Sequence, residues 1–159
     1  MRHPFPFARR AAAMLLALAA GCLSGTEPNS PSNPATETYA ASLGVNIPQM
    51  TKLSDDLYVQ DIVVGTGTVA ATGKTVTVIY TGWLPNGTQF DSNVGKAAFS
   101  VTLGAGGVIP GWEIGLVGVK AGGKRRLVIG SALGYGPVAN GPIPANSTLV
   151  FDVQVNTVQ

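Results

Sequence analysis

Apolar positions recur along this chain mostly in short β-branched runs broken by glycine turns, and in one place at helical spacing. LYVQDIVV, from Leu57 to Val64, alternates enough for a half-buried strand, and Gly65-Thr66-Gly67 ends it. TVTVIYTGW, from Thr75 to Trp83, is the strongest strand signal. Pro85-Asn86-Gly87 then supplies residues that accept the positive φ of a tight turn, so Thr88 to Asp91 is expected to return antiparallel. FSVTL (Phe99 to Leu103), KRRLVI (Lys124 to Ile129) and TLVFDVQV (Thr148 to Val155) read as further strands. After Pro110, GWEIGLVGV places Trp112, Leu116 and Val119 at i, i+4 and i+7, on one helical face. Pro110 suits the start of this helix and Gly122-Gly123 its stop. Gly115 and Gly118 each cost roughly 1 kcal/mol against alanine, so packing has to hold it. The pattern predicts an α+β fold, a curved antiparallel sheet of five or six strands wrapped around one short α-helix.

The front of the chain follows different rules. Arg9-Arg10, the apolar run Ala11 to Ala20 and Gly21-Cys22 have the three parts of a secretory signal. The apolar run is about half of the ~20 residues that span a bilayer, which argues against a permanent transmembrane helix. Ala19-Ala20-Gly21-Cys22 resembles a bacterial lipobox, with Ala19 where leucine is commonest; the resemblance implies lipidation of Cys22. The alternative is ordinary cleavage near Ala20, and both imply export to the cell envelope. Residues 1–22 are therefore expected as a signal peptide and residues 23–50 as a flexible Ser/Thr/Pro/Asn-rich tether. Residues 51–159 are expected as the one folded domain.

Charge and chemistry narrow the function. Ten Lys and Arg face eight Asp and Glu, but Arg2, Arg9 and Arg10 lie within the expected signal, leaving seven basic residues and no basic face for nucleic acid. The only histidine is His3 and the only cysteine is Cys22. The expected domain thus cannot assemble a Ser-His-Asp or Cys-His nucleophile, a Cys/His zinc site or a disulfide framework. Carboxylate chemistry, Ser/Lys chemistry, or catalysis without proton transfer remain. No metal or cofactor is expected, and a monomer is the default.

Three segments carry a more specific signal: VIYTGWLPNGTQFDSN (Val78 to Asn93), VIPGWEIGL (Val108 to Leu116) and YGPVANGPIPANSTLVFDVQV (Tyr135 to Val155). In this order and spacing they resemble the signature blocks of FKBP-type peptidyl-prolyl cis/trans isomerases, from about Asp61 to the C-terminus. The resemblance implies a pocket built from Tyr80, Phe90, Asp91, Phe99, Val108, Ile109, Trp112, Tyr135, Ile143 and Phe151. Trp112 corresponds to the floor, the Ile109 N–H and the Tyr135 hydroxyl to donors for a bound carbonyl, and Asp91 to the carboxylate at the edge. It also implies proline-containing polypeptides as partners, and macrolides as inhibitors. The stretch from Asp91 to Phe99 carries Lys96 but no arginine, so the family's usual ionic partner of Asp91 is missing. Lys124-Arg125-Arg126 reads as a solvated strand face. The activity implied is acceleration of Xaa-Pro isomerisation in exported proteins; the alternative is a proline-binding or chaperone module with little catalysis.

Overall fold

The computed structural model describes residues 30–159, so the expected signal, Cys22 and the first part of the expected tether lie outside the described residues. Seven strands form a single antiparallel sheet: β1 (Thr51–Ser54), β2 (Leu57–Val63), β3 (Thr75–Trp83), β4 (Gln89–Ser92), β5 (Phe99–Thr102), β6 (Lys124–Ile129) and β7 (Leu149–Val158). Their order is β1-β2-β6-β7-β3-β4, with β5 also paired to β3. Among the described residues one short α-helix, α1 (Pro110–Gly115), lies against the sheet. The α+β arrangement is the one expected, with β1 as an added edge strand. All four of its residues are exposed, so it leaves no apolar alternation to detect.

The inner face of the sheet is apolar from strand to strand. Leu57 and Val59 of β2, Val76 and Val78 of β3, Leu127 and Ile129 of β6, and Leu149, Phe151, Val153 and Val155 of β7 share one core with Trp112, Leu116 and Val119. Full burial of each such side chain stabilises by about 1.5–3 kcal/mol. The helix stops at Gly115, earlier than the periodicity suggests, and Gly118 turns the chain with φ +87°. Val119 still reaches the core, so the apolar spacing reports burial beyond the last helical residue. Gly111 and Gly115 let the helix lie close to β6. A Cβ at Gly111 would sit 2.5 Å from Ile129 Cγ2, and one at Gly115 would sit 2.8 Å from Leu127 Cδ2.

The outer face is apolar too, which corrects the expected tether over residues 30–50. Tyr58, Val128 and Val150 form a stripe across β2, β6 and β7, with Trp83 packed beside it. Leu43 and Met50 are buried on this stripe, and Tyr39, Val45 and Ile47 pack against it. Two short 3-10 turns, Ala41–Leu43 and Ile47–Gln49, shape the segment. Consecutive apolar residues in LVI and LVF already signal strands covered on both faces. Averaging the composition of residues 23–50 conceals the few large side chains that provide the cover.

The basic run at the start of β6 differs from the solvated face expected. Arg125 donates to Asp61 at 2.6 and 3.0 Å and to the carbonyls of Gly115 and Val117 at 2.9 and 3.0 Å, at the end of α1. Arg126 makes a bidentate pair with Asp152 at 2.7 and 3.0 Å, and Lys124 approaches the same carboxylate at 3.2 Å. Both guanidinium groups are largely covered, because strands β2 and β7 flank β6 and offer acids directly opposite.

Candidate functional site

Strand alternation decides which side chains can meet. Tyr80 follows Val76 and Val78 on the inward side of β3, and Phe151 stands inward on the neighbouring β7. Gly82, paired with Phe151 and also with Asp91 of β4, leaves the space these rings need. A Cβ there would lie 2.7 Å from both Phe151 Cε1 and Phe90 Cζ. Tyr80 is fixed through its backbone: its N–H donates to Asn93 Oδ1 at 2.7 Å, and Ser92 Oγ donates to its carbonyl at 3.0 Å. Asn93, itself buried, donates to the carbonyls of Val78 and Ala97 at 3.0 and 3.2 Å, tying the β4–β5 connection to β3.

These elements surround a cavity of about 420 Å³ lined by Tyr80, Asp91, Phe99, Gly106, Gly107, Val108, Ile109, Trp112, Tyr135 and Phe151. Trp112 and Phe151, 4% and 3% exposed, are the buried residues of this lining. Ring centroids lie 5.0 Å apart for Tyr80 and Trp112 and 5.3 Å apart for Trp112 and Phe151, each pair at 87°. Such edge-to-face pairs hold the rings in defined orientations and contribute about 0.5–1.5 kcal/mol beyond area burial. Phe99, 40% exposed, stands near the rim, 6.3 Å from Tyr80.

The polar groups are few. Tyr80 Oη donates to Asp91 Oδ2 at 2.6 Å. Burial first, and then the Asp91 hydrogen bond and charge, push the Tyr80 phenol up to about 12. Burial, followed by the Asp91 charge, also raises Tyr135. Among the described residues Asp91 has no ion-pair partner, and Lys96 Nζ turns instead to the Ser92 carbonyl at 3.1 Å. The Ile109 N–H and the Tyr135 hydroxyl have no hydrogen-bond partner among the described residues. Both belong to residues on the cavity wall, which leaves them available to a carbonyl guest.

Eight of the ten site residues expected from sequence line the cavity; Phe90 and Ile143 do not. Phe90 lies behind the wall, with its ring 5.4 Å from Phe151, and supports that ring rather than facing the opening. Ile143, 5% exposed, is drawn into the core by a small turn in which Asn140 and Ile143 exchange backbone hydrogen bonds at 2.9 and 3.0 Å. Three features escaped the sequence. Gly106 and Gly107 contribute backbone to the wall, and Glu113 holds the loop before α1 by accepting from the N–H groups of Gly104 and, at 3.0 Å, Gly106. An acid in the first turn of a helix, soon after a glycine-rich loop with free N–H groups, is the signal that could have identified Glu113.

Known proteins are similar to this chain in sequence and fold. A family model described as FKBP-type peptidyl-prolyl cis-trans isomerase matches residues 67–156. The chain belongs to that family. An FK506-binding protein from Neisseria meningitidis serogroup B is 48% identical over 101 residues, covering 62% of this chain and 93% of the relative. A peptidyl-prolyl cis-trans isomerase, FKBP53, from Arabidopsis thaliana is 45% identical over 115 residues, covering 70% of this chain and 24% of the relative. The crystal structure of FkpA from Escherichia coli is similar with a TM-score of 0.60 and 43% identity, covering 65% of this chain and 48% of that one. The FKBP-type match contains every residue lining the cavity, whereas β1, β2 and the outer cover precede it.

Proposed function

We propose that this chain accelerates cis/trans exchange at Xaa-Pro bonds of exported polypeptides by binding the twisted amide in the aromatic cavity. Rotation about a peptide bond meets a barrier of ~18–20 kcal/mol because conjugation gives the C–N bond double-bond character. Before proline the isomers differ by only about 0.5–1 kcal/mol, so the difficulty is kinetic. At the transition state the amide is turned out of conjugation and is less dipolar than the planar form. A dry cavity walled by rings receives it at a lower desolvation cost, which is differential binding in the direction catalysis requires. The proline ring rests on Trp112, and the preceding carbonyl accepts from the Ile109 N–H and from Tyr135. Asp91 orients the Tyr80 hydroxyl at the edge.

The observation that carries this reading is the open cavity of about 420 Å³ over the buried Trp112. Membership of the FKBP-type family supports it, and similarity to the Neisseria FK506-binding protein supports macrolide binding. Export and a lipid anchor at Cys22 rest on the pattern of residues 1–22 alone. Refolding of a protein limited by a cis proline tests the activity: its slow phase should quicken in proportion to added protein. An unchanged slow phase alongside measurable proline-peptide binding would favour the binding-module alternative. Cys22→Ser should release the protein from the membrane fraction; unchanged membrane association would remove the anchor from the account.

A further inference from the structure

The residues before the outer cover are joined to the loop that carries Tyr135. The Ser32 N–H donates to Ser131 Oγ at 3.0 Å, and the Ser131 N–H donates back to Ser32 Oγ at 2.9 Å, across 99 positions of sequence. Pro34 is buried, with its Cδ against Gly130; a Cβ built on that glycine would lie 3.0 Å away. Further along, Glu37 Oε2 accepts from Thr148 Oγ1 at 3.3 Å. Ser131 and Thr148 are both buried. They stand at the two ends of the connection from β6 to β7.

That connection forms no strand or α-helix and is held by local bonds within itself. It contains one 3-10 turn, Ser131–Leu133, a bond from the Gly136 N–H to the Ser131 carbonyl at 2.9 Å, the two bonds exchanged by Asn140 and Ile143, a closure from the Asn146 N–H to the Gly136 carbonyl at 2.9 Å and a bond from Ser147 Oγ to the Pro144 carbonyl at 2.8 Å, with Ile143 as its buried side chain near the middle. Tyr135, 40% exposed, makes no side-chain hydrogen bond among the described residues and forms one wall of the cavity. The N-terminal segment is itself secured: Tyr39 Oη donates to the Pro34 carbonyl at 2.8 Å, and the Ala40 N–H donates to the Pro85 carbonyl at 2.8 Å, beyond the end of β3. None of Ser32, Pro34 or Glu37 lines the cavity.

We infer that residues Ser32 to Glu37 act as a clamp on the Ser131–Thr148 loop, making Ser32 and Glu37 positioning residues for the substrate site. A loop fixed at both ends samples fewer arrangements, so Tyr135 spends more time closing the cavity. Loosening the ends lowers the competent fraction, and apparent affinity falls by that fraction while the chemistry of the closed state is unchanged. The kinetic consequence rests on the isomerase reading; the clamp itself does not.

The test compares the full chain with Ser32→Ala/Glu37→Ala and with the conservative Ser32→Thr/Glu37→Gln, which keeps both acceptors. Hydrogen exchange should rise about fivefold to thirtyfold at amides 131–148 of the alanine variant, the change expected for losing one or two kcal/mol of local stability, with β3 and β7 unaltered. The KM for an Xaa-Pro peptide should rise by about threefold to tenfold with kcat nearly constant, as a reduced competent fraction requires. The conservative variant should restore both. Exchange unchanged in the loop, or raised equally across β3 and β7, would overturn the clamp. A loosened loop with unaltered KM would overturn its role at the site. Should the unmodified protein accelerate no isomerisation, that failure belongs to the proposed function, and peptide affinity read from tryptophan fluorescence then decides the clamp in place of KM.

Discussion

Tyr80 and Asp91 meet across the β3–β4 pair through a 2.6 Å hydrogen bond from phenol to carboxylate, at a cavity otherwise lined by aromatic, aliphatic and glycine residues. A charge-assisted bond contributes about 1.5–3 kcal/mol when sheltered and less when exposed. Tyr80→Phe keeps the ring against Trp112 and releases Asp91. We expect kcat/KM for an Xaa-Pro peptide to fall about tenfold, which corresponds to about 1.4 kcal/mol at the transition state, with little change in Tm. A tenfold loss accompanied by a Tm drop of many degrees would assign Tyr80 to the core alone.

The same bond has a pH signature. The Tyr80 phenol is raised to about 12, by burial first and by Asp91 second, and Tyr135 moves in the same direction. The unfolded tyrosine ionises near pH ~10. Above that pH the unfolded chain binds fewer protons than the folded one, so stability is lost as pH rises from about 10 towards 12 and is fully present below about 10. Urea midpoints between pH 8 and pH 12 should decline over that window, with a shallower decline in Tyr80→Phe. Identical slopes in the two proteins would contradict the assignment.

Gly82 is where β3 makes room for Phe90 and Phe151, each 2.7 Å from a Cβ placed there. Gly82→Ala should destabilise by about 1–3 kcal/mol through overpacking, and should weaken peptide binding because Phe151 is pushed towards the opening. Chemical denaturation and peptide titration check the two effects together. A stable variant with normal affinity would show that the rings yield more easily than their packing implies.

On the opposite face, Asp152 accepts from Arg126 twice and lies near Lys124. Asp152→Ala strands a largely covered guanidinium, and breaking such a pair costs about 3–5 kcal/mol when fully buried. Arg126 is 15% exposed and Asp152 10%, so the lower end of that range is expected. The loss should appear in the unfolding free energy while kcat/KM holds at temperatures where the protein stays folded. A selective fall in kcat/KM would link the outer face to the cavity.

Six of the seven strands and the buried face of the helical segment were legible because strand and helix periodicities act locally on side-chain direction. Trp112, Leu116 and Val119 are all buried, although the helix holding the first of them ends at Gly115. What escaped detection depends on distant partners. Leu43 and Met50 bury themselves only because Tyr58, Val128 and Val150 come together from three separate strands. Phe90 carries a motif position but stands behind Phe151, at an irregularity in the β3–β4 register where Gly82 pairs with Asp91 and Trp83 with Gln89, leaving Phe90 unpaired. Glu113 follows Trp112 in the helix, yet its role is set by where the Gly104–Gly106 backbone comes to lie. Spacing identifies which residues can face inward; the topology determines which of them reach the opening.

Exchange-spectroscopy NMR on a short Xaa-Pro peptide with catalytic amounts of the protein, at pH 6, 7 and 8 and in heavy water, shows whether this hollow lowers the barrier to prolyl rotation without moving a proton. Cis/trans exchange should accelerate, at a rate that is the same at all three pH values and nearly the same in both solvents. A rate equal to that of peptide alone, or one that follows a titration curve and slows in heavy water, would contradict this mechanism.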